Sequence, residues 1–183
     1  TATIEESADR LTALVDNLLD SSRLAAGAVT PLLGPVGYDE VGVRALVGLE
    51  GASRVKIEID EALPDVLADA GLLERVVANV VDNALRYGGG APIVLRASAY
   101  NDRVELRIVD AGPGVPQRER AVLFAPFRRL GGADPSDRDG ASGVGLGLSV
   151  ARGFAEVMGG TLTAEDTPGG GLTVVISLPQ AHR

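Results

Sequence analysis

Three short stretches in a fixed order constrain the fold of this chain more than any other feature. They are Asn79-Val-Val-Asp-Asn83, Asp110-Ala-Gly112-Pro-Gly114 and Gly143-Val-Gly145-Leu-Gly147. The first lies in a segment with helical periodicity, the second follows an alternating, strand-like segment, and the third opens another helical segment. This order predicts glycine-rich turns between strands and helices, as mixed α/β domains have.

Composition and charge exclude several classes of protein. The formal net charge of −8 argues against a nucleic-acid surface, which needs clustered Lys and Arg. The absence of cysteine excludes a disulfide framework and thiolate metal sites. No apolar run approaches the roughly 18–20 residues that span a bilayer, and there is no signal-peptide pattern, so we expect no membrane contact by this segment.

The pattern over residues 2–26 predicts one long amphipathic helix that precedes the main domain. Ile4, Leu11, Leu18 and Ala25 recur every seven residues, and Gly27 is placed to end the helix. An isolated helix of this length is marginal in water, so its apolar stripe needs a partner. The helix either packs on its own domain or forms half of a dimerising helical hairpin, and the heptad spacing favours the hairpin.

Beyond this helix, the pattern predicts a linker over residues 29–36, a domain over 37–180 and a short tail over 181–183. The linker is rich in Pro and Gly. Helices are predicted over 39–50, 69–87, 117–124 and 146–158, and strands over 55–59, 93–100, 104–109, 161–166 and 172–178. A polar stretch over 131–143 predicts a mobile loop. These elements predict an α/β two-layer sandwich with helices on one face of a mixed sheet.

Asn79, Asn83 and Arg86 fall on one face of the predicted 69–87 helix, because they stand at positions i, i+4 and i+7. Amide oxygens are hard ligands suited to Mg²⁺, and a guanidinium one turn away can clamp phosphate. Taken alone, these three side chains are also what a solvated helix face would carry. The spacing is therefore a weak signal without the other two stretches.

Asp110 ends an apolar strand and is followed by two glycines, Gly112 and Gly114. A carboxylate at a strand end can accept a hydrogen bond from an exocyclic amine such as that of adenine, and glycines let the backbone approach a flat ring. An ordinary turn at the end of a strand would carry the same residue types. The stretch by itself leaves both interpretations open.

The stretch from Gly143 to Leu148 alternates glycine with apolar residues and leads directly into a helix. Such a helix N-terminus presents amide donors and favours anions. The stretch does not follow a strand in a βαβ unit, which argues against a dinucleotide-binding fold, and no Gly-Lys-Ser/Thr follows it, which argues against a Walker loop.

Taken together and in this order, the motifs resemble the catalytic ATP-binding domain of sensor histidine kinases. Asn79–Tyr87 is similar to that family's N box, with Arg86 where the family more often has Lys; Asp110–Gly114 is similar to its G1 box, Phe124–Arg129 to its F box, and Gly143–Gly147 to its G2 box. The resemblance covers residues 37–180 and implies a Bergerat-type fold. Residues 1–28 resemble the second helix of the family's dimerisation and histidine-phosphotransfer hairpin. A finer resemblance, from Pro64 into the N box and at G2, is to the Kdp-type potassium-responsive sensor kinases.

The resemblance implies roles for individual residues, with ATP and Mg²⁺ as cofactors. Asp110 would fix the adenine amine, Asn79 and Asn83 would hold Mg²⁺ and the phosphates as catalytic residues, Arg86 and Arg129 would contact phosphate, and Tyr87 would pack beside the base. Residues 128–142 would form the ATP lid. The residues implied around the nucleotide are Asn79, Asn83, Arg86, Tyr87, Asp110, Gly112, Gly114, Phe127, Arg129, Gly143, Val144, Gly145, Leu146, Gly147 and Leu148.

The sequence also departs from the family. The phospho-accepting histidine belongs to a first hairpin helix that we expect before Thr1, whereas the single histidine here, His182, lies in the tail. We therefore expect this piece of a protein-histidine kinase to bind ATP without phosphorylating itself. The resemblance implies a response regulator as partner, a homodimer in the full-length protein, and a location in the cytoplasmic portion of a membrane-anchored sensor kinase.

Two rival classes stay open from the sequence. ATP-hydrolysing relatives and anti-sigma-factor serine kinases of the same fold carry Glu where Asn79 stands, to act as general base, and an amide cannot take that proton. Asn79 therefore favours a histidine kinase. A nucleotide-independent scaffold is the second rival, and the intact motifs argue against it.

Overall fold

The computed structural model describes residues 2–127 and 145–182. In chain order, the elements are α1 (Ala2–Ala25), β1 (Gly34–Val36), α2 (Tyr38–Ala45), β2 (Val55–Glu58), β3 (Val66–Ala68), α3 (Ala70–Tyr87), β4 (Ile93–Tyr100), β5 (Arg103–Val109), α4 (Gln117–Arg120), α5 (Gly147–Val157), β6 (Thr161–Asp166) and β7 (Leu172–Pro179). A short 3-10 turn, Ala52–Arg54, precedes β2. The predicted loop over 131–143 and the predicted lid over 128–142 lie outside the described residues.

The main sheet has five strands in the order β2-β4-β5-β7-β6. Only β2 and β4 run parallel, whereas the other three pairs are antiparallel, so the sheet is mixed. Along β5 the side chains alternate: Val104, Leu106 and Ile108 are buried, whereas Arg107 between them pairs with Glu165 on the other face. One face of the sheet is therefore apolar and the other is polar.

Helices α2, α3 and α5 cover the apolar face. The core that they share with the sheet is mostly aliphatic, and its largest fully buried side chains include Phe154, Leu73, Ile93, Leu95 and Leu106. The predicted α/β two-layer sandwich of the Bergerat type, preceded by one long helix, is confirmed.

Two elements differ from the expectation at the start of the domain. The segment predicted as a linker, 29–36, contains β1, whose residues pair with β3 from Gly34↔Ala68 to Val36↔Val66. The amide of Leu32 also donates to Oδ2 of Asp69, so this segment lies against the domain. Neither three-residue strand is long enough to show an alternating pattern, which is why the sequence did not predict this small sheet.

The predicted helix over 39–50 is shorter in the structure. It ends at Ala45, the last of its residues that the core buries, and Val47 beyond it is exposed. The helix predicted over 117–124 is likewise shortened to the four residues of α4. Over the described residues, no helix is long and apolar enough to cross a membrane.

The long N-terminal helix packs on the domain only near its C-terminal end. Leu24 lies against Gly153 of α5, where a β-carbon would come within 2.6 Å of a Leu24 methyl group. The heptad stripe stays exposed: the exposed fraction is 75% at Ile4, 63% at Leu11 and 53% at Leu18. Both sequence interpretations therefore describe part of α1, because one end packs on the domain and the stripe has no partner in the described chain.

Candidate functional site

A cavity of about 670 Å³ lies between α1, the C-terminal half of α3 and the N-terminus of α5. Its walls contain most of the predicted site residues that the structure describes. Those lining it are Asn79, Asn83, Arg86, Tyr87, Gly145, Leu146, Gly147 and Leu148. The folded chain thus brings the first and third of the three stretches to one place.

The α3 wall of the cavity is supported at both ends of the helix. At the N-terminus, Oδ1 of Asp69 accepts a hydrogen bond from the amide of Leu72 at 3.1 Å and caps the first turn. Near the C-terminus, Nε of Arg86 lies 3.0 Å from Oδ2 of Asp82, also on the cavity wall. Asp82 thus balances the charge of the guanidinium that the sequence assigns to phosphate.

Asp110 is buried, with only 7% of its surface exposed. Its Oδ1 accepts two hydrogen bonds, from the amide of Gly112 at 3.0 Å and from the amide of Leu172 at 2.9 Å. Among the described residues, no hydrogen bond reaches its Oδ2. The carboxylate is therefore held in one orientation by Oδ1, and its second oxygen is left to accept from a ligand.

Asp110 and Gly112 do not line the cavity; they lie directly behind Gly88, the residue that follows Tyr87. A β-carbon at Gly112 would come within 2.8 Å of the α-carbon of Gly88, and one at Gly88 within 3.2 Å of the β-carbon of Asp110. This close approach requires glycine at position 112. The strand end that carries Asp110 therefore adjoins the end of α3 that carries Tyr87.

The F and G2 stretches meet at their described ends. The amide of Phe127 donates to the carbonyl of Gly145 at 3.1 Å. A β-carbon at Gly147 would lie 3.9 Å from the side chain of Asn79, so the N-terminus of α5 reaches the asparagine face of α3. Arg129, Gly143 and Val144, which were predicted as site residues, lie outside the described residues.

Two further predicted residues, besides Asp110 and Gly112, lie away from the cavity. Phe127 is exposed and contributes no wall. Gly114 lines a separate depression of about 550 Å³ with Arg120, Asp166 and the glycines before β7. The assignment of individual residues to nucleotide binding stays a prediction.

Sequence reasoning missed the α1 wall of the cavity. Residues from successive turns of that helix line the same cavity as the two asparagines; they are Glu6, Asp9, Arg10, Ala13, Leu14 and Asn17. It also missed Arg54, whose guanidinium donates to the carbonyls of Leu85 and Ala91 beside the end of α3. Nothing in the sequence pattern marks these residues, because their contacts depend on how α1 and the 3-10 turn pack on the domain.

The fold and the arrangement of the cavity define the class of protein. Residues 68–182 match the family described as histidine kinase-, DNA gyrase B- and HSP90-like ATPases, and the chain belongs to that family. It has the ATP-binding catalytic domain that sensor histidine kinases share, as the sequence predicted.

Within the family, the chain is similar to sensor proteins named KdpD. It is 53% identical to the one from Mycobacterium tuberculosis strain H37Rv over 97% of this chain and 21% of that protein. It is 34% identical to the one from Escherichia coli K12 over 92% of this chain and 19% of that protein. The predicted Kdp-type resemblance is confirmed. The chain spans about one fifth of the length of these relatives.

A solved structure shares this fold. Full-length ShkA in complex with AMPPNP superposes with a TM-score of 0.81 at 27% identity, covering 100% of this chain and 38% of that one. The superposition includes α1 because the entire chain is covered.

Proposed function

We propose that this chain binds ATP with Mg²⁺, with the phosphate chain in the cavity between α1, α3 and α5 and the adenine beside that cavity at Asp110, and that it presents the γ-phosphoryl group to a histidine on a phosphotransfer helix for relay to an aspartate of a response regulator. The observation that carries the proposal is the meeting of Asn79, Asn83 and the N-terminus of α5 on one cavity wall, next to the buried carboxylate of Asp110. The two asparagines and the helix N-terminus suit a phosphate chain, and the carboxylate suits an amino-purine.

The adenine end of the nucleotide is assigned to Asp110. Its Oδ1 is occupied by the amides of Gly112 and Leu172, and its Oδ2 is available to accept from the exocyclic amine. Adenine supplies that donor, whereas guanine has a carbonyl at the corresponding position, so the arrangement favours ATP over GTP. Tyr87, half exposed on the cavity wall, would pack beside the base.

The phosphate end is assigned to the α3 and α5 walls. The first turn of α5, from Gly147, presents backbone amides whose hydrogen-bonding partners lie outside the helix. Arg86 supplies a cation, as Arg129 would by resemblance. Asn79 and Asn83 offer the oxygen donors that Mg²⁺ accepts and would hold that ion, which neutralises phosphate charge when bound. Among the described residues, no cluster of three or more carboxylates, histidines or cysteines offers an alternative metal site.

Asn79 also favours transfer to a histidine over transfer to water or to a serine. Its amide lies on the cavity wall, against the α5 terminus. An amide has no basic site at neutral pH, so it cannot take a proton from an attacking water molecule or serine. A hydrolase or a serine kinase would need a base at this point, whereas a histidine nucleophile can be neutral and needs none.

The roles of the whole protein follow from the resemblance and are part of the proposal. The exposed stripe of Ile4, Leu11 and Leu18 supports pairing of α1 with a first hairpin helix and then with a second subunit. The similarity to KdpD supports a potassium or osmotic stimulus, and a cytoplasmic position in a membrane-anchored sensor. Neither nucleic acid nor membrane is a proposed partner of this segment.

Two experiments test the proposal. Calorimetric titration of ATP, with and without Mg²⁺, should show binding that Mg²⁺ strengthens, and Asn83→Ala should reduce the Mg²⁺ effect while Mg²⁺-free binding changes little. The exposed residue Asn101, in the β4–β5 turn, provides the matched control as Asn101→Gly, which suits its positive φ of 53°. No binding by the unaltered chain would favour the scaffold interpretation.

The transfer step is tested by mixing the chain with γ-labelled ATP and a separately purified phosphotransfer hairpin of a sensor histidine kinase. Label that appears on the hairpin, is lost in acid and survives in base identifies a phosphohistidine. Labelling of a serine, or release of free phosphate alone, would support the rival enzymes of the same fold.

A further inference from the structure

The only strongly buried charged side chain of α1 among the described residues is Asp20, with 4% of its surface exposed. Its carboxylate forms an ion pair with the guanidinium of Arg75 on α3. A carboxylate is rarely buried unless it is paired, because leaving water costs several kcal/mol. The pair therefore reports a specific contact between α1 and the catalytic domain.

Arg75 in turn connects α3 with α5. Its guanidinium carbon lies 5.5 Å from the ring centroid of Phe154, which is fully buried in α5. Unlike Asp20, the Arg75 side chain keeps 41% of its surface exposed. The guanidinium carried by α3 thus lies against a side chain of α5 and also pairs with the carboxylate of α1, so it connects α1 with the two helices that build the phosphate end of the cavity.

Each partner of the Asp20–Arg75 pair lies on the same helix face as residues that line the cavity. On α3, Arg75 precedes Asn79 by one turn and Asn83 by two, so the three share one face. On α1, Asp20 continues the row of Ala13 and Asn17, which line the cavity. Fixing Asp20 to Arg75 therefore fixes which residues of α1 line the cavity that Asn79 and Asn83 also line.

We propose that Asp20 and Arg75 are positioning residues that hold α1 as one wall of the nucleotide cavity. The pair, aided by Leu24 against Gly153, sets the distance and register of α1 over the site. Undocking of α1 removes this wall and opens the cavity, so it speeds release of the nucleotide. The nucleotide part of this inference rests on the proposed function, whereas the docking part does not.

Removal of Arg75 and removal of Asp20 should affect the docking of α1 unequally, and this asymmetry provides a sharp test. Arg75→Gln leaves the Asp20 carboxylate buried without its cation, and rehydration of that carboxylate drives α1 away from the domain. Asp20→Asn leaves a half-exposed guanidinium that water can solvate, so its effect is smaller. In the double variant Asp20→Asn/Arg75→Gln no charge is buried, so α1 docks better than in Arg75→Gln alone.

Docking is measured directly by spin labels. The chain has no cysteine, so single cysteines at the exposed positions Ser7 on α1 and Ser98 on β4 carry the only labels. We expect a narrow distance distribution in the unaltered chain, a broad one in Arg75→Gln and partial recovery in the double variant. Asp16→Asn and Arg23→Gln, both exposed on α1, are the controls and should match the unaltered chain.

The functional consequence is measured as the dissociation rate of a fluorescent ATP analogue. We expect Arg75→Gln to raise that rate on the order of tenfold, within the usual range of coupling between two sites, and the double variant to bring it part of the way back. Gly153→Val, which forces Leu24 to move and alters neither charge, should raise the rate as well.

Two results would overturn the proposal: an Arg75→Gln distance distribution equal to that of the unaltered chain, or a double variant that is no better docked than Arg75→Gln. Broad distances with an unchanged dissociation rate would show that the pair holds α1 but that α1 is not a wall of the nucleotide site. Failure of the unaltered chain to bind the analogue contradicts the proposed function instead, and the distances still decide the docking.

Discussion

Oδ1 of Asp110 accepts a hydrogen bond at 2.9 Å from the amide of Leu172, 62 positions further along the chain. The backbones of the same two residues also form a hydrogen bond, in which the amide of Asp110 donates to the carbonyl of Leu172 at 3.0 Å. Asp110 follows β5 and Leu172 opens β7, and these strands are neighbours in the sheet. The carboxylate is therefore oriented by the sheet rather than by a loop.

This geometry predicts that Asp110→Asn separates binding from folding. An asparagine oxygen can still accept from the amides of Gly112 and Leu172, so the fold should persist. Its amide group then faces the adenine amine, donor against donor, and ATP affinity should fall at least about tenfold. Calorimetry gives the affinity, and denaturant unfolding gives the stability.

Asp110→Ala is the companion variant. It leaves both amides without their acceptor and should cost about 2–4 kcal/mol of unfolding free energy in addition to the loss of binding. Asp102→Ala, in the exposed β4–β5 turn, serves as the control for removing a carboxylate. Undiminished ATP affinity in Asp110→Asn would contradict the assignment of the adenine contact.

The backbone of Asp110 also makes Gly171 sensitive to substitution. A β-carbon at Gly171 would come within 2.1 Å of the carbonyl oxygen of Asp110, whereas one at Gly170 would meet nothing closer than 3.8 Å. The two glycines have almost the same φ, 114° and 116°, so backbone strain of about 1–3 kcal/mol is common to both alanine variants. We expect Gly171→Ala to lose clearly more unfolding free energy than Gly170→Ala, as measured by denaturant titration. Equal losses would show that the clash is relieved by a small backbone shift.

Tyr38 predicts a decrease in stability at high pH. Its hydroxyl is buried and lies 3.3 Å from each of two carbonyl oxygens, those of Val104 and Ile176. Burial raises the pKa of Tyr38 well above its usual value of 10; the charge of Arg103 opposes this rise, and the charge of Glu105 adds to it. The folded state therefore keeps the proton that the unfolded state loses.

The sign of the effect follows from this raised pKa. The contribution of Tyr38 is complete below about pH 10 and is lost above it, at up to about 1.4 kcal/mol per pH unit. Tyr38→Phe should lose about 1 kcal/mol at neutral pH but should lack this additional slope. Unfolding free energies at several pH values above 10 check the difference, with the exposed Tyr100→Phe as control.

The exposed stripe of α1 predicts self-association of the isolated chain. Leu11 and Leu18 each keep more than half of their surface exposed on the same helix face. Removal of residues 1–28, or the pair Leu11→Gln and Leu18→Gln, should shift light scattering towards the monomer. Thr12→Gln, an exposed polar position on the same helix, should not. An unchanged oligomeric state after removal of residues 1–28 would contradict the prediction that α1 drives self-association.

Much of the fold could be predicted from local patterns. The helical repeat of α3 and the alternation along β4 and β5 predict the ends of these elements to within one or two residues. The short strands β1 and β3 could not be predicted, because three residues carry no measurable period and their pairing depends on segments about thirty positions apart. Helix α2 was predicted too long because its sequence does not show where the core stops.

The candidate site could be predicted in type but not in arrangement. The family resemblance implies Asn79, Asn83 and Asp110 as site residues, and the structure adds that Asp110 lies behind Gly88 rather than on the cavity wall. The amide of Leu172, the carboxylate of Asp82 and the Asp20–Arg75 pair had no signal of their own. Each is an ordinary residue whose role comes only from its neighbour in space.

The sequence by itself determined the family, the order of helices and strands, and the residue types that can meet ATP, because these depend on short-range periodicity and on motifs of fixed spacing. Only the tertiary structure decided that one oxygen of Asp110 is occupied by β7, that α1 docks through a buried ion pair, and that α1 forms one wall of the cavity. Those contacts join residues 55 to 62 positions apart, or separate helices, and their energies depend on burial and distance. Neither quantity exists until the chain has folded.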